Sequence, residues 1–155
     1  MALLLDKECI KSMRKVAQNL IDQSESDGCV LCDGGGHMLV QEGIGTKDPL
    51  LLAALGAGVF AGSRELAQML GEENFSVVLH QGERKSIFIR SVDEEILLVV
   101  IFSKPDSAGL VRLYAGPAAE RLKGLLEQAR RSGTEISDPE RSFVLKDGAD
   151  IFARN

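Results

Sequence analysis

Tryptophan is absent from this sequence, tyrosine occurs once and phenylalanine six times in 155 residues. So few rings leave no platform on which nucleic-acid bases could stack. Positive charge is also in deficit, with 18 Lys and Arg against 23 Asp and Glu and a net charge of −5. A surface that neutralises phosphates needs the opposite balance, and a nucleic-acid partner is not expected. Cysteine occurs only three times, an odd number. A chain of this length buries a core without staples, so three scattered cysteines argue for reduced thiols in the cytoplasm and against a disulfide framework. No apolar run reaches the ~20 residues of a bilayer span. The opening Met1–Leu5 is interrupted by Asp6, Lys7 and Glu8 before a signal-peptide core is complete, and the uncharged stretch Leu50–Ser63 is short and rich in glycine. Membrane insertion is not expected.

What the chain does contain is a central segment, DPLLLAALGAGVFAGSRELAQMLG, from Asp48 to Gly71. Asp48 is placed to cap a helix and Pro49 to occupy its first position. The first half is apolar or small on every side, and the second carries Ser63, Arg64, Glu65 and Gln68. At about 100° per residue, Leu52, Leu55, Val59, Leu66 and Leu70 share a stripe that is expected to lie on a sheet. Ala54, Ala57, Gly58, Ala61, Glu65 and Gln68 form the opposite one. Gly56, Gly58 and Gly62 inside a helix cost ~1 kcal/mol each relative to alanine. Close approach of a second backbone would compensate, either in a partner or within the same core.

Around this segment the pattern is regular. Leu5, Cys9, Met13, Val16, Ala17, Leu20 and Ile21 give residues 3–24 the spacing of an amphipathic helix. Cys29–Cys32 and His37–Gln41, joined by Asp33 and three glycines, read as a hairpin. Phe75, Val77 and Leu79 alternate with polar and apolar neighbours in a further strand, and Ser86–Val92 follows. Ile96–Phe102 is continuously apolar, as in a strand covered on both faces. A last helix opens near Pro105 and meets Gly116 and Pro117, where a kink or two helices end to end are expected. The order is α-β-β-α-β-β-β-α, an α+β fold with a five-stranded antiparallel sheet and helices on both faces. Residues 1–132 form the domain and 133–155 a polar tail, in which Phe143, Ile151 and Phe152 are candidates for docking.

No constellation points to catalysis. Cys29 and Cys32 are three apart, and in a strand they face opposite sides; no second pair completes a zinc site. The glycine-rich stretches match no phosphate-binding loop. His37 and His80 stand in separate strands without an evident nucleophile. Arg64 admits two readings, an arginine finger or an ordinary solvated side chain. No cofactor or metal is implied.

The segments DPLLLAALGAGVFAGSRELAQMLGE, FSVVLHQGERKSIFIRSV and EEILLVVIFSKPDSAGLVRLYA resemble the Roadblock family, most closely its bacterial MglB-like members. The resemblance covers roughly residues 5–131. It implies a homodimer in which the third strand of the sheet, at Phe75, Val77 and Leu79, meets its copy and joins two sheets into one. It also implies binding to a small Ras-like GTPase of the MglA type, regulated by reshaping its own catalytic elements and not by an inserted arginine. Carried over by position, the dimer and partner surface falls on Ala54, Ala57, Gly58, Ala61, Arg64, Glu65 and Gln68. The expected function is a non-enzymatic regulator; the alternatives are an adaptor dimer without effect on GTP turnover and a small-molecule sensor, which the bulky run Ile96–Phe102 disfavours by filling the core.

Overall fold

The computed structural model describes residues 2–43, 46–133 and 142–146. Strand β1 (Ala2–Asp6) leads into α1 (Lys7–Ser24), followed by β2 (Gly28–Asp33), β3 (Met38–Gly43), α2 (Pro49–Met69), β4 (Val77–His80), β5 (Ser86–Ser91), β6 (Ile96–Phe102), α3 (Ser107–Gly133) and β7 (Ser142–Lys146). Strands β2 to β6 make one antiparallel sheet in the order β3-β2-β6-β5-β4. Helices α1 and α3 cover one face and α2 the other. The expected α-β-β-α-β-β-β-α succession therefore stands, with two strands added at the ends.

The first addition corrects the start of the first helix. Residues 2–6 are extended and pair with residues 142–146; the helix begins at Lys7 because the Asp6 carboxylate accepts the amide of Cys9 at 2.8 Å and caps it. That capping satisfies one of the helix's orphan donors and ends the extended run. At the other end, Glu25 takes a left-handed conformation, φ 55°, and its amide returns to the carbonyl of Ile21. Helix α3 is a single element that runs through Pro117, not two helices end to end. Ala115, Ala118 and Ala119 around the proline are buried in the core, where packing offsets the lost hydrogen bond.

β6 sits at the centre of the sheet and all seven of its residues are buried, as its continuous apolar run requires. Alternation divides the core. Cys29, Leu31, Phe88, Ile96, Leu98, Val100 and Phe102 face α1 and α3 with Met13, Leu20, Leu122 and Leu126. Val30, Cys32, Ile89, Leu97 and Val99 face α2. The two cysteines of the C-x-x-C thus lie on opposite sides of the sheet.

The face of α2 that meets the sheet is not the expected one. Ala53, Gly56, Ala57, Phe60 and Ala67 are buried there, while Leu55, Val59, Leu66 and Leu70 are exposed. Small side chains let the helix settle close to the strands: a Cβ on Gly56 would meet Val99 at 3.7 Å and Ile89 at 3.8 Å, ordinary contact distances. Phe60 supplies the bulk that the alanines lack, and its ring lies 5.1 Å from that of Phe75. By length and composition α2 is apolar enough to cross a membrane, yet in this fold it is one layer of the domain.

Candidate functional site

The seating of α2, turned by about a quarter turn from the expected one, creates the most distinctive surface among the described residues. Among the described residues, nine large hydrophobic side chains are exposed, and seven of them, Leu50, Leu51, Leu55, Val59, Leu66, Met69 and Leu70, belong to α2 or its C-cap. Met69 is 82% and Leu70 85% exposed. Scattered exposed leucines are ordinary, but a contiguous apolar face of this kind marks an interaction site. Its crest, at spacings of three, four and seven, runs through Leu51, Leu55, Gly58, Gly62 and Met69. A Cβ at Gly58 or Gly62 would meet nothing within 4 Å, so no contact among the described residues explains these glycines.

The predicted site residues divide accordingly. Ala54, Gly58, Ala61, Arg64, Glu65 and Gln68 are exposed on α2. Ala57 is only 3% exposed and belongs to the core against the sheet, so it does not present itself to a partner. The Arg64 guanidinium stands 5.1 Å from the centre of the Phe60 ring, held there by a cation–π contact. Leu55, Val59, Leu66 and Leu70 share the stripe expected on the sheet but face outward; of that stripe Leu52 packs against the core beneath α2, and the weak periodicity of the helix is why the expected seating fails. The sequence signal that finds the observed seating is Phe60, the one aromatic of the helix, with Ala53, Gly56 and Ala57 clustered on its side.

The two edges of the sheet differ. At β3, the carbonyl of Gln41 accepts from Arg14 at 3.4 Å, and the carbonyl of Gly43 accepts from the Gln41 side chain at 2.9 Å. Arg14 and Gln18 also hold Glu42 at 2.7 and 3.0 Å, tying this edge to α1. β4 reads Val-Val-Leu-His, with Leu79 and His80 exposed and no charged side chain. Charged and capped edges resist pairing, whereas an uncharged one invites it. Of the residues predicted for the dimer strand, Val77 and Leu79 lie in β4, and Phe75 precedes it, half-buried against the α2 core.

The remaining candidates for chemistry are structural. Burial, with Glu42 and Cys32 nearby, pushes the Cys29 thiol up to about 12; burial and Asp33 do the same to Cys32. Burial and Asp6 raise Cys9 to about 11. Nucleophilic thiolates need the opposite shift. Asp33 accepts the amides of Gly35 and His37 at 2.9 and 2.8 Å and faces the His37 ring at 3.2 Å, which closes the β2–β3 turn. Among the described residues, no group of three or more His, Cys, Asp or Glu is arranged to hold a metal.

Residues 14–102, from within α1 to the end of β6, match the Roadblock/LC7 domain. The chain belongs to the Roadblock/LC7 family. Among solved structures, this Roadblock chain is similar to the gliding protein MglB of Thermus thermophilus, at 28% identity and a TM-score of 0.76, covering 82% of this chain and 97% of that one. It is similar also to Myxococcus xanthus MglB, at 29% identity and a TM-score of 0.74, covering 81% and 95%. A further MglB, described with a tetrameric arrangement, is 28% identical with a TM-score of 0.76, covering 82% and 96%.

Proposed function

We propose that this Roadblock chain is a homodimeric, non-enzymatic regulator that binds a small Ras-like GTPase of the MglA type in the cytoplasm and modulates its hydrolysis or exchange of nucleotide. The observation that carries the reading is the apolar outer face of α2 beside the uncharged β4 edge. In a dimer, β4 pairs with its copy, the two sheets become one, and the α2 helices are brought side by side, where Gly58 and Gly62 permit close approach. Leu55, Val59 and Leu66 are then covered. The end of α2 that carries Arg64, Glu65 and Gln68 reads the GTPase, with Ala54 and Ala61 along the same flank. Likeness to MglB structures, one of them an assembly of several copies, supports this reading.

The tail is part of the proposal. Phe143 stands in β7 opposite Leu5, and Ile151 and Phe152 lie outside the described residues; the three are assigned to docking on a partner or on the domain.

Light scattering and a GTP turnover assay with a Ras-like GTPase from the same genome test the function. The expected results are a mass of two chains and a turnover rate that changes on addition of the wild-type protein but not of Leu55→Arg. A bound GTPase whose turnover is unaltered would make the chain an adaptor instead. A wild-type chain that remains monomeric at high concentration would sink the dimer.

A further inference from the structure

On the α1 and α3 side, away from the α2 surface, lies a second, smaller sheet. β1 and β7 pair antiparallel from Ala2 opposite Lys146 to Asp6 opposite Ser142, and neither strand joins the five-stranded sheet. The two are anchored unequally. β1 is continuous with α1, its Leu5 is completely buried in the larger core, its Asp6 caps the helix, and the strand packs along α3. The main contacts of β7 are with β1. A two-stranded ribbon is marginal by itself. β1 is therefore an edge fixed to the domain, and β7 behaves as its ligand, joined to α3 through residues 134–141.

We propose that the edge of β1 is a peptide site of the strand-addition kind, occupied in cis by residues 142–146 and available in trans to an extended apolar segment of a partner protein when that strand departs. In such sites main-chain hydrogen bonds supply affinity and alternate side chains supply selectivity. The occupant serves as the template for the ligand. Ser142-Phe143-Val144-Leu145-Lys146 has an uncharged centre of apolar, largely β-favouring residues between polar ends. A ligand of the same chemistry is an extended stretch with two or three apolar residues at its middle. Tethering holds the cis strand at an effective concentration of ~1 mM, so a free peptide of ~100 µM affinity is weakened about tenfold while the strand is in place. The site shares no residue with the α2 surface and does not depend on the dimer.

The test uses the full-length chain and a fluorescein-labelled peptide of sequence ERSFVLKDG, copied from residues 140–148. Val144→Pro removes an amide and a pairing geometry from β7. The variant is expected to bind the peptide at least tenfold more tightly than the wild type, and neither protein to bind a peptide carrying the same proline. Equal binding by the two proteins, no binding by a Val144→Pro chain with a wild-type circular dichroism spectrum, or binding of the proline peptide would each overturn the proposal. A second arm keeps the native fold. Leu4 and Val144 are register partners, at a separation that suits a disulfide. In Leu4→Cys/Val144→Cys, oxidation is expected to close an intrachain link and abolish peptide binding, and reduction to restore it. Failure of the link to form, or binding that ignores it, would count against the cis strand.

Discussion

A Cβ built on Gly36 would stand 2.6 Å from the Cα of Ala54, so the β2–β3 turn and the first half of α2 touch backbone to backbone. Gly36 also has φ +86°, in the left-handed region that glycine alone occupies at little cost. This contact helps set how α2 lies on the sheet, and thereby which residues it leaves outside.

Gly36→Ala is the sharpest test of that seating. The left-handed backbone costs ~1–2 kcal/mol for a residue with a side chain, and the new methyl group must push α2 away. The expected result is a clear fall in the denaturation midpoint in urea, with weaker self-association. An unchanged midpoint would show that the turn and the helix do not meet this way.

Opposite sides of α2 should answer substitution in opposite ways. Ala57→Leu forces bulk between helix and sheet and is expected to destabilise the chain by ~1–3 kcal/mol. Leu55→Ser removes an exposed side chain and is expected to leave the isolated chain within ~0.5 kcal/mol of the wild type, while lowering self-association at least tenfold by analytical ultracentrifugation. If Leu55→Ser were the more destabilising of the two in dilute solution, the helix would be turned the other way.

Gly58→Ala and Gly62→Ala should show a split effect. Neither added methyl group meets anything among the described residues, so each is expected to stabilise the helix by up to ~1 kcal/mol. Where two α2 helices approach at these glycines, the same methyl group holds them apart. Higher thermal stability of the monomer with a weaker dimer is the expected pair of results; a dimer left as tight as before would remove the glycines from the contact.

Thiols and alkali provide a further check. Cys29 and Cys32 are raised from 9.0 to about 12 and Cys9 to about 11, so below pH 9 each is protonated both folded and unfolded and costs nothing. Above pH 9 the unfolded chain releases these protons first, and stability falls as pH rises from about 9 towards 12. A urea midpoint constant to pH 8 and declining through pH 10 is expected, together with Cys29 and Cys32 thiols that react with Ellman's reagent only after denaturation. Rapid reaction of Cys29 or Cys32 in the native chain at pH 8 would contradict their burial.

Much of this architecture was legible in the residues because it rests on local patterns. Asp48 and Pro49 announce α2, and Asp48 does accept the amide of Leu51 at 3.0 Å. The unbroken run Ile96–Phe102 announces a central strand, and alternation alone separates Cys29 from Cys32. The strand at residues 2–6 was not legible. Its partner lies at residues 142–146, and no window of local sequence contains both halves of a pairing so distant along the chain.

Local patterns suffice for the order of helices and strands, the mixed α and β class and the two-sided burial of β6, since each depends on periodicity, capping or a run of residue types; the family came from resemblance across several segments. Which side of α2 turns outward depends on contacts between elements distant in sequence. A helix that is apolar around its circumference carries no periodic signal to choose between its faces; the choice comes from fit, where Ala53, Gly56 and Ala57 sit close to the sheet and Phe60 fills the remaining gap. Leu55, Val59, Leu66 and Leu70 share a stripe that the sequence shows, and that this stripe faces away from the sheet is a consequence of packing.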